Sequence, residues 1–119
     1  MLTFEEAQEA LDEIAFELPE EIFTNLNGGY ALIPDIITDS NGLLVLGRYN
    51  FEPRGLGRYI TIHYGSIRAA YGWVNPEEFR GKLKHVLHHE LTHHLEHLAG
   101  DRSLEIQDEI DKARYLNRD

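Results

Sequence analysis

The chain has 119 residues and a formal net charge of -10, with no cysteine. That length suits one domain with one core, and the missing cysteine excludes both a disulfide framework and a thiolate zinc site. The acidic balance sets the chain against DNA, RNA and anionic lipid as partners, and no apolar run approaches the ~20 residues needed to span a bilayer.

Met1 to Glu17 is acidic rather than basic and then apolar. No secretory signal peptide is expected, and the expected location is the reducing cytoplasm. Thr3 is placed to cap a first helix, with Glu6 three residues on completing a capping box. Phe4, Ala7, Leu11, Ile14 and Ala15 follow a helical period. Pro19 ends that run or starts the next. Glu20 to Leu26 reads as a short second helix ending near Asn27-Gly28-Gly29. Tyr30 to Ile33, stopped by Pro34, reads as a strand, and Leu43 to Tyr49 as a second. Asn50 to Gly57 holds Pro53, Gly55 and Gly57 and reads as a loop. Arg58 to Ser66 alternates β-branched and aromatic residues and is the third strand. Ile67 to Trp73 fits a loop or a short helical turn. Asn75 is a good N-cap, Pro76 suits the first helical position, and Glu78 completes a box-like cap. A long helix is expected from Pro76 to about Ala99, stopping at Gly100. A last one follows from about Ser103 to Tyr115, with Leu104, Ile106, Ile110 and Ala113 facing inward. The order predicts an α+β fold, with helices packed on a small three- to four-stranded sheet.

The chemistry is concentrated in the long helix. Six of the seven histidines fall between His85 and His97, and among them stands His89-Glu90-Leu91-Thr92-His93. On a helix, residues four apart lie one above the other. His89 and His93 can therefore reach one small cation, and Zn²⁺ takes neutral imidazole nitrogens at about 2.0–2.1 Å. Glu90 lies about 100° round the helix from His89. It can lean over the open side of the metal without binding it, as a general base toward water must. Leu83, Leu87, Leu91, Leu95 and Leu98 mark an apolar face on which this helix can be buried.

With these residues the chain resembles the small bacterial zincin-like metallopeptidases, the minimal zincins. T-F-E-E at Thr3 to Glu6 and L-P-E-E at Leu18 to Glu21 look like that family's N-terminal helices. I-T-I-H-Y-G at Ile60 to Gly65 looks like its edge strand, and H-E-L-T-H-H at His89 to His94 like its site. The resemblance implies a zincin-like fold with one zinc ion and peptidase activity. It makes His89 and His93 ligands and Glu90 the catalytic base, with an extended peptide or protein substrate lying beside Ile60 to Tyr64. The chain departs from the family at the third ligand. The family's pattern is H-E-x-x-H-x-x-G-x-x-D, and Glu96 and Ala99 hold its Gly and Asp positions here. Gly100 and Asp101 follow directly, so Asp101 is the leading candidate for the third metal ligand. Glu105, Asp108 and His97 remain alternatives. His97 lies about 12 Å along an unbroken helix from His89, so it joins the pair only if the helix bends.

Three protein ligands suffice for a catalytic zinc. His85, His88 and His94 are accordingly expected to be surface or outer groups, His94 a partly exposed helix residue. His63 and Tyr64 are read as core or surface residues ahead of oxyanion donors. The rival reading is a non-catalytic zinc-binding interaction module, which would need the histidines but not Glu90. A hydrolase acting on nucleic acid is disfavoured by the charge and by the lack of a basic stripe.

Overall fold

The computed structural model describes residues 1–100. The expected last helix, Ser103 to Tyr115, and the candidate ligands Asp101, Glu105 and Asp108 lie outside the described residues. Helix α1 spans Phe4–Phe16. Its capping box forms as expected. The Thr3 hydroxyl accepts from the Glu6 amide at 3.1 Å, and the Glu6 carboxylate accepts from the Thr3 amide at 2.9 Å. Ala7, Ala10, Leu11, Ile14 and Ala15 are buried. This i, i+3, i+4, i+7, i+8 stripe is what one apolar face of a helix requires.

The second helix is shorter than expected, a single 3₁₀ turn over Glu20–Phe23. Thr24 ends it early by taking an extended backbone, which turns its carbonyl to a side chain of the long helix.

The sheet has three strands among the described residues: β1 (Gly29–Ile33), β2 (Gly47–Glu52) and β3 (Gly57–His63). Their order is β1-β3-β2, with β1 parallel and β2 antiparallel to β3. β3 is therefore the central strand. That corrects the expectation that Ile60 to Tyr64 forms an edge: β3 is paired on both sides, with β1 and β2 outermost among the described residues. The second strand is also displaced from Leu43–Tyr49 to Gly47–Glu52. Thr38 and Leu44 form an isolated bridge, and the Val45 amide donates to the Ile37 carbonyl at 2.8 Å. The main chain of Leu43 to Val45 thus pairs with the preceding connection and forms no ladder with the described strands. The expected loop from Asn50 shrinks to a turn after Glu52, because Asn50, Phe51 and Glu52 pair with Tyr59, Arg58 and Gly57. Gly57 closes that turn at a φ of 74°, which favours glycine.

The third strand stops at His63 instead of Ser66, because Tyr64–Tyr71 forms helix α2. Ser66 is tied to Ile37, accepting from its amide at 2.8 Å and donating to its carbonyl at 3.0 Å.

Helix α3 runs from Pro76 to Ala99, as expected. The Asn75 side chain accepts from the Glu78 amide at 2.8 Å. Gly100 forms the other cap, its amide bonded to the Glu96 carbonyl at 3.0 Å. α3 packs against α1, β2 and β3, so it is the element on which both layers meet. Phe79, Leu83, Val86, Leu87 and Leu91 are its buried apolar residues. Leu95 is 43% exposed and Leu98 half-buried, which corrects the five-leucine face. A row spaced strictly by four drifts about 40° per step on a helix of ~3.6 residues per turn. By Leu95 it has left the core, and His94 and His97 take its place there. The architecture is α+β, with a small mixed sheet and three α-helices among the described residues. None of these helices is long and apolar enough to cross a membrane.

Candidate metal centre

His89 to His93 lie in the C-terminal half of α3. The four-residue spacing stacks the two imidazoles edge to face, with ring centroids 4.7 Å apart and planes at 88°. Their Nε2 atoms converge to 3.2 Å. Two ligands at about 2.05 Å from one tetrahedral cation stand about 3.3 Å apart. The pair therefore fits a zinc-sized cation with little movement. His93 presents its other nitrogen, Nδ1, to Glu96 Oε1 at 3.7 Å. Among the described residues no group of three His, Cys, Asp or Glu is arranged to hold a metal ion. The Asp101, Glu105 and Asp108 candidates fall outside those residues. His97 lies within them and is turned onto the sheet instead, edge-on to Tyr49 at 5.5 Å and to Phe51 at 4.8 Å.

Glu90 is only 1% exposed. Burying a carboxylate costs far more than burying an apolar side chain of its size. Such a local expense is typical of positions held for chemistry. Gly47 of β2 makes the room. A Cβ there would stand 2.7 Å from Val86 Cγ1 and 3.4 Å from Glu90 Cγ. Glycine inside a strand marks such a close approach. Gly47→Ala should push β2 and α3 apart and cost about 1–3 kcal/mol, as overpacking does. A guanidinium unfolding midpoint unchanged from wild type would contradict that contact.

His94 is fully buried, which corrects the expectation of a partly exposed residue. One step along the helix from His93 carries it about 100° round, in between the 3₁₀ turn and β2. Its Nε2 contacts the Thr24 carbonyl at 2.8 Å and its Nδ1 the Tyr49 hydroxyl at 2.8 Å. A carbonyl only accepts, so Nε2 carries the proton and Nδ1 accepts from Tyr49. His94 thus pins α3 to both neighbours. His63 is a core histidine, 1% exposed. Its Nδ1 donates to the Val45 carbonyl at 2.6 Å, and its Nε2 accepts from the Thr61 hydroxyl at 3.0 Å. The Tyr64 hydroxyl donates to the Leu2 carbonyl at 2.6 Å, and its ring meets Phe4 and Phe79. Both residues are engaged in the core. His85 and His88 are exposed.

Burial pushes His63 and His94 below the ordinary 6.5, against the opposing pull of the carbonyl that each contacts. The unfolded chain then binds these protons more readily than the folded one. Their contribution to stability is complete above the unfolded value and is lost as pH falls through the folded values. Urea midpoints should fall from pH 7.5 to pH 5.5, and the fall should shrink in His63→Gln.

Three residues near the site carry no strong signal of their own in the sequence. Gly47 interrupts an apolar run, which is a recognisable mark of close backbone approach. Tyr49 reads as an ordinary strand residue, and Glu96 as one more charge on a helix.

No family model and no curated relative matches the chain. Among solved structures it is similar to a conserved hypothetical protein from Thermo thermophilus, with 29% sequence identity and a TM-score of 0.70. The likeness covers 83% of this chain and 99% of that one. The two share a fold. The likeness extends over most of the α+β architecture described above.

Proposed function

We propose that this chain is a zinc-dependent hydrolase of peptide bonds, of the zincin-like kind that its sequence resembles. The observation that carries the reading is the 3.2 Å convergence of His89 and His93 Nε2, with the buried Glu90 next to His89 on the same helix. When bound, zinc would supply the Lewis acid and the activated water of such a reaction. His89 and His93 are ligands in this reading, and Asp101 is the third. Glu90 accepts the proton of the attacking water and passes it to the leaving amine.

β2 lies against α3. In this reading an extended peptide substrate passes beside the active helix. The charge of -10 favours neutral or cationic peptides over nucleic acid as partners.

The test is a diverse peptide library incubated with zinc-loaded protein near neutral pH and read by mass spectrometry. Defined cleavages should appear, vanish with chelator and return with zinc. A zinc-loaded chain that cleaves nothing would favour the zinc-binding interaction module.

A further inference from the structure

We propose that Glu96 is a positioning residue for the metal centre. Its carboxylate accepts a hydrogen bond from His93 Nδ1–H and so leaves Nε2 unprotonated and aimed at the cation. The inference rests on the zinc reading above and adds a residue to it.

Glu96 lies three residues after His93, a spacing at which helix side chains meet. Its Oε1 stands 3.7 Å from His93 Nδ1. A sub-ångström adjustment of a long side chain brings that to hydrogen-bond length. The geometry also says what Glu96 is not. It meets the ring nitrogen opposite the one that faces His89, and no three-ligand group forms among the described residues. Glu96 therefore acts on the ring and not on the cation. An imidazole holds one proton when neutral, and the partner of one nitrogen decides which nitrogen keeps it. A carboxylate at Nδ1 selects the form that can ligate through Nε2, orients the ring and raises its basicity. The alternative is a surface ion pair of no consequence, since exposed pairs contribute little. The His93 side chain is only 12% exposed, however, against 42% for Glu96, so one end of the pair is largely shielded from water. Glu96 also stands where the resembled pattern has glycine, so the contact is a feature of this chain.

The experiment compares wild type, Glu96→Ala and Glu96→Gln. Zinc affinity is read by competition with a chromophoric chelator. The His93 tautomer is read from long-range ¹⁵N–¹H correlations of the ring at a fixed pH above 7.5. Glu96→Ala should weaken zinc binding about 10–100-fold, the usual cost of losing an outer partner of a ligand. Its metal-free His93 should lose the preference for the Nδ1–H form. Glu96→Gln keeps an accepting oxygen and should restore part of both. Unchanged affinity with an unchanged tautomer in Glu96→Ala would overturn the inference and leave the zinc reading standing. Near-complete loss of zinc with an unchanged tautomer would also overturn it, by making Glu96 a ligand. Wild type that binds no zinc would remove the metal centre, and this inference with it.

Discussion

Replacing Glu90 with glutamine is expected to lower peptide hydrolysis by roughly 10²–10⁴-fold, the usual contribution of a positioned acid–base group. Zinc affinity should change little, because Glu90 is not a ligand in this reading. Glutamine keeps the size and most of the hydrogen bonding of glutamate but cannot take the proton. The burial of Glu90 against Gly47 makes this a demanding comparison. A bulkier or smaller replacement would disturb the contact between α3 and β2 and mix folding with chemistry. Cleavage that persists in Glu90→Gln would point to another base. The same variant separates an enzyme from a binding module, since only the enzyme depends on that carboxylate.

The second large effect concerns the metal. Wild type should retain one Zn²⁺ per chain after dialysis against a weak chelator, and His89→Ala or His93→Ala should retain almost none. Each substitution leaves a lone imidazole where the cation needs two converging ones, and structural or catalytic zinc sites use three or four protein ligands. The folded state should survive in both variants. The apolar core is built from α1, α3 and the sheet, with Leu11, Ile60, Ile62, Phe79, Leu83 and Leu87 fully buried and neither histidine among them. Zinc fingers behave otherwise because they have almost no core of their own. Elemental analysis and thermal unfolding read the two halves of this prediction. Equal zinc retention in wild type and variants would remove the site.

The parts of this fold legible in the sequence were those governed by local chemistry. Thr3 with Glu6, and Asn75 with Pro76 and Gly100, carry their caps within four residues of the helix ends, and both helices begin where those residues place them. The stacking of His89 on His93 follows from helical spacing alone. What the sequence obscured depends on distant partners. Leu43 to Val45 look like strand, yet their bonds run to Thr38 and Ile37, a choice made by the loop's closure. Tyr64 and Ser66 continue the alternation of β3 but belong to a helix tied to Ile37 and Leu2. β3 carries the strongest strand pattern and is the central strand, whereas the resemblance had implied an edge. His94 illustrates the same limit at the site. Its neighbour His93 turns to His89, while His94 is claimed by Thr24 and Tyr49, two residues that only the tertiary fold brings to it.

The central claim is that His89 and His93 converge on a zinc ion beside Glu90. Diffraction from zinc-loaded crystals, recorded on both sides of the zinc absorption edge, tests it most directly. One anomalous peak is expected about 2.0–2.1 Å from the Nε2 atoms of both His89 and His93, with a carboxylate from Asp101 as the third protein ligand. A peak bound instead at His85 or His88, or no peak within bonding distance of the His89–His93 pair, would contradict it.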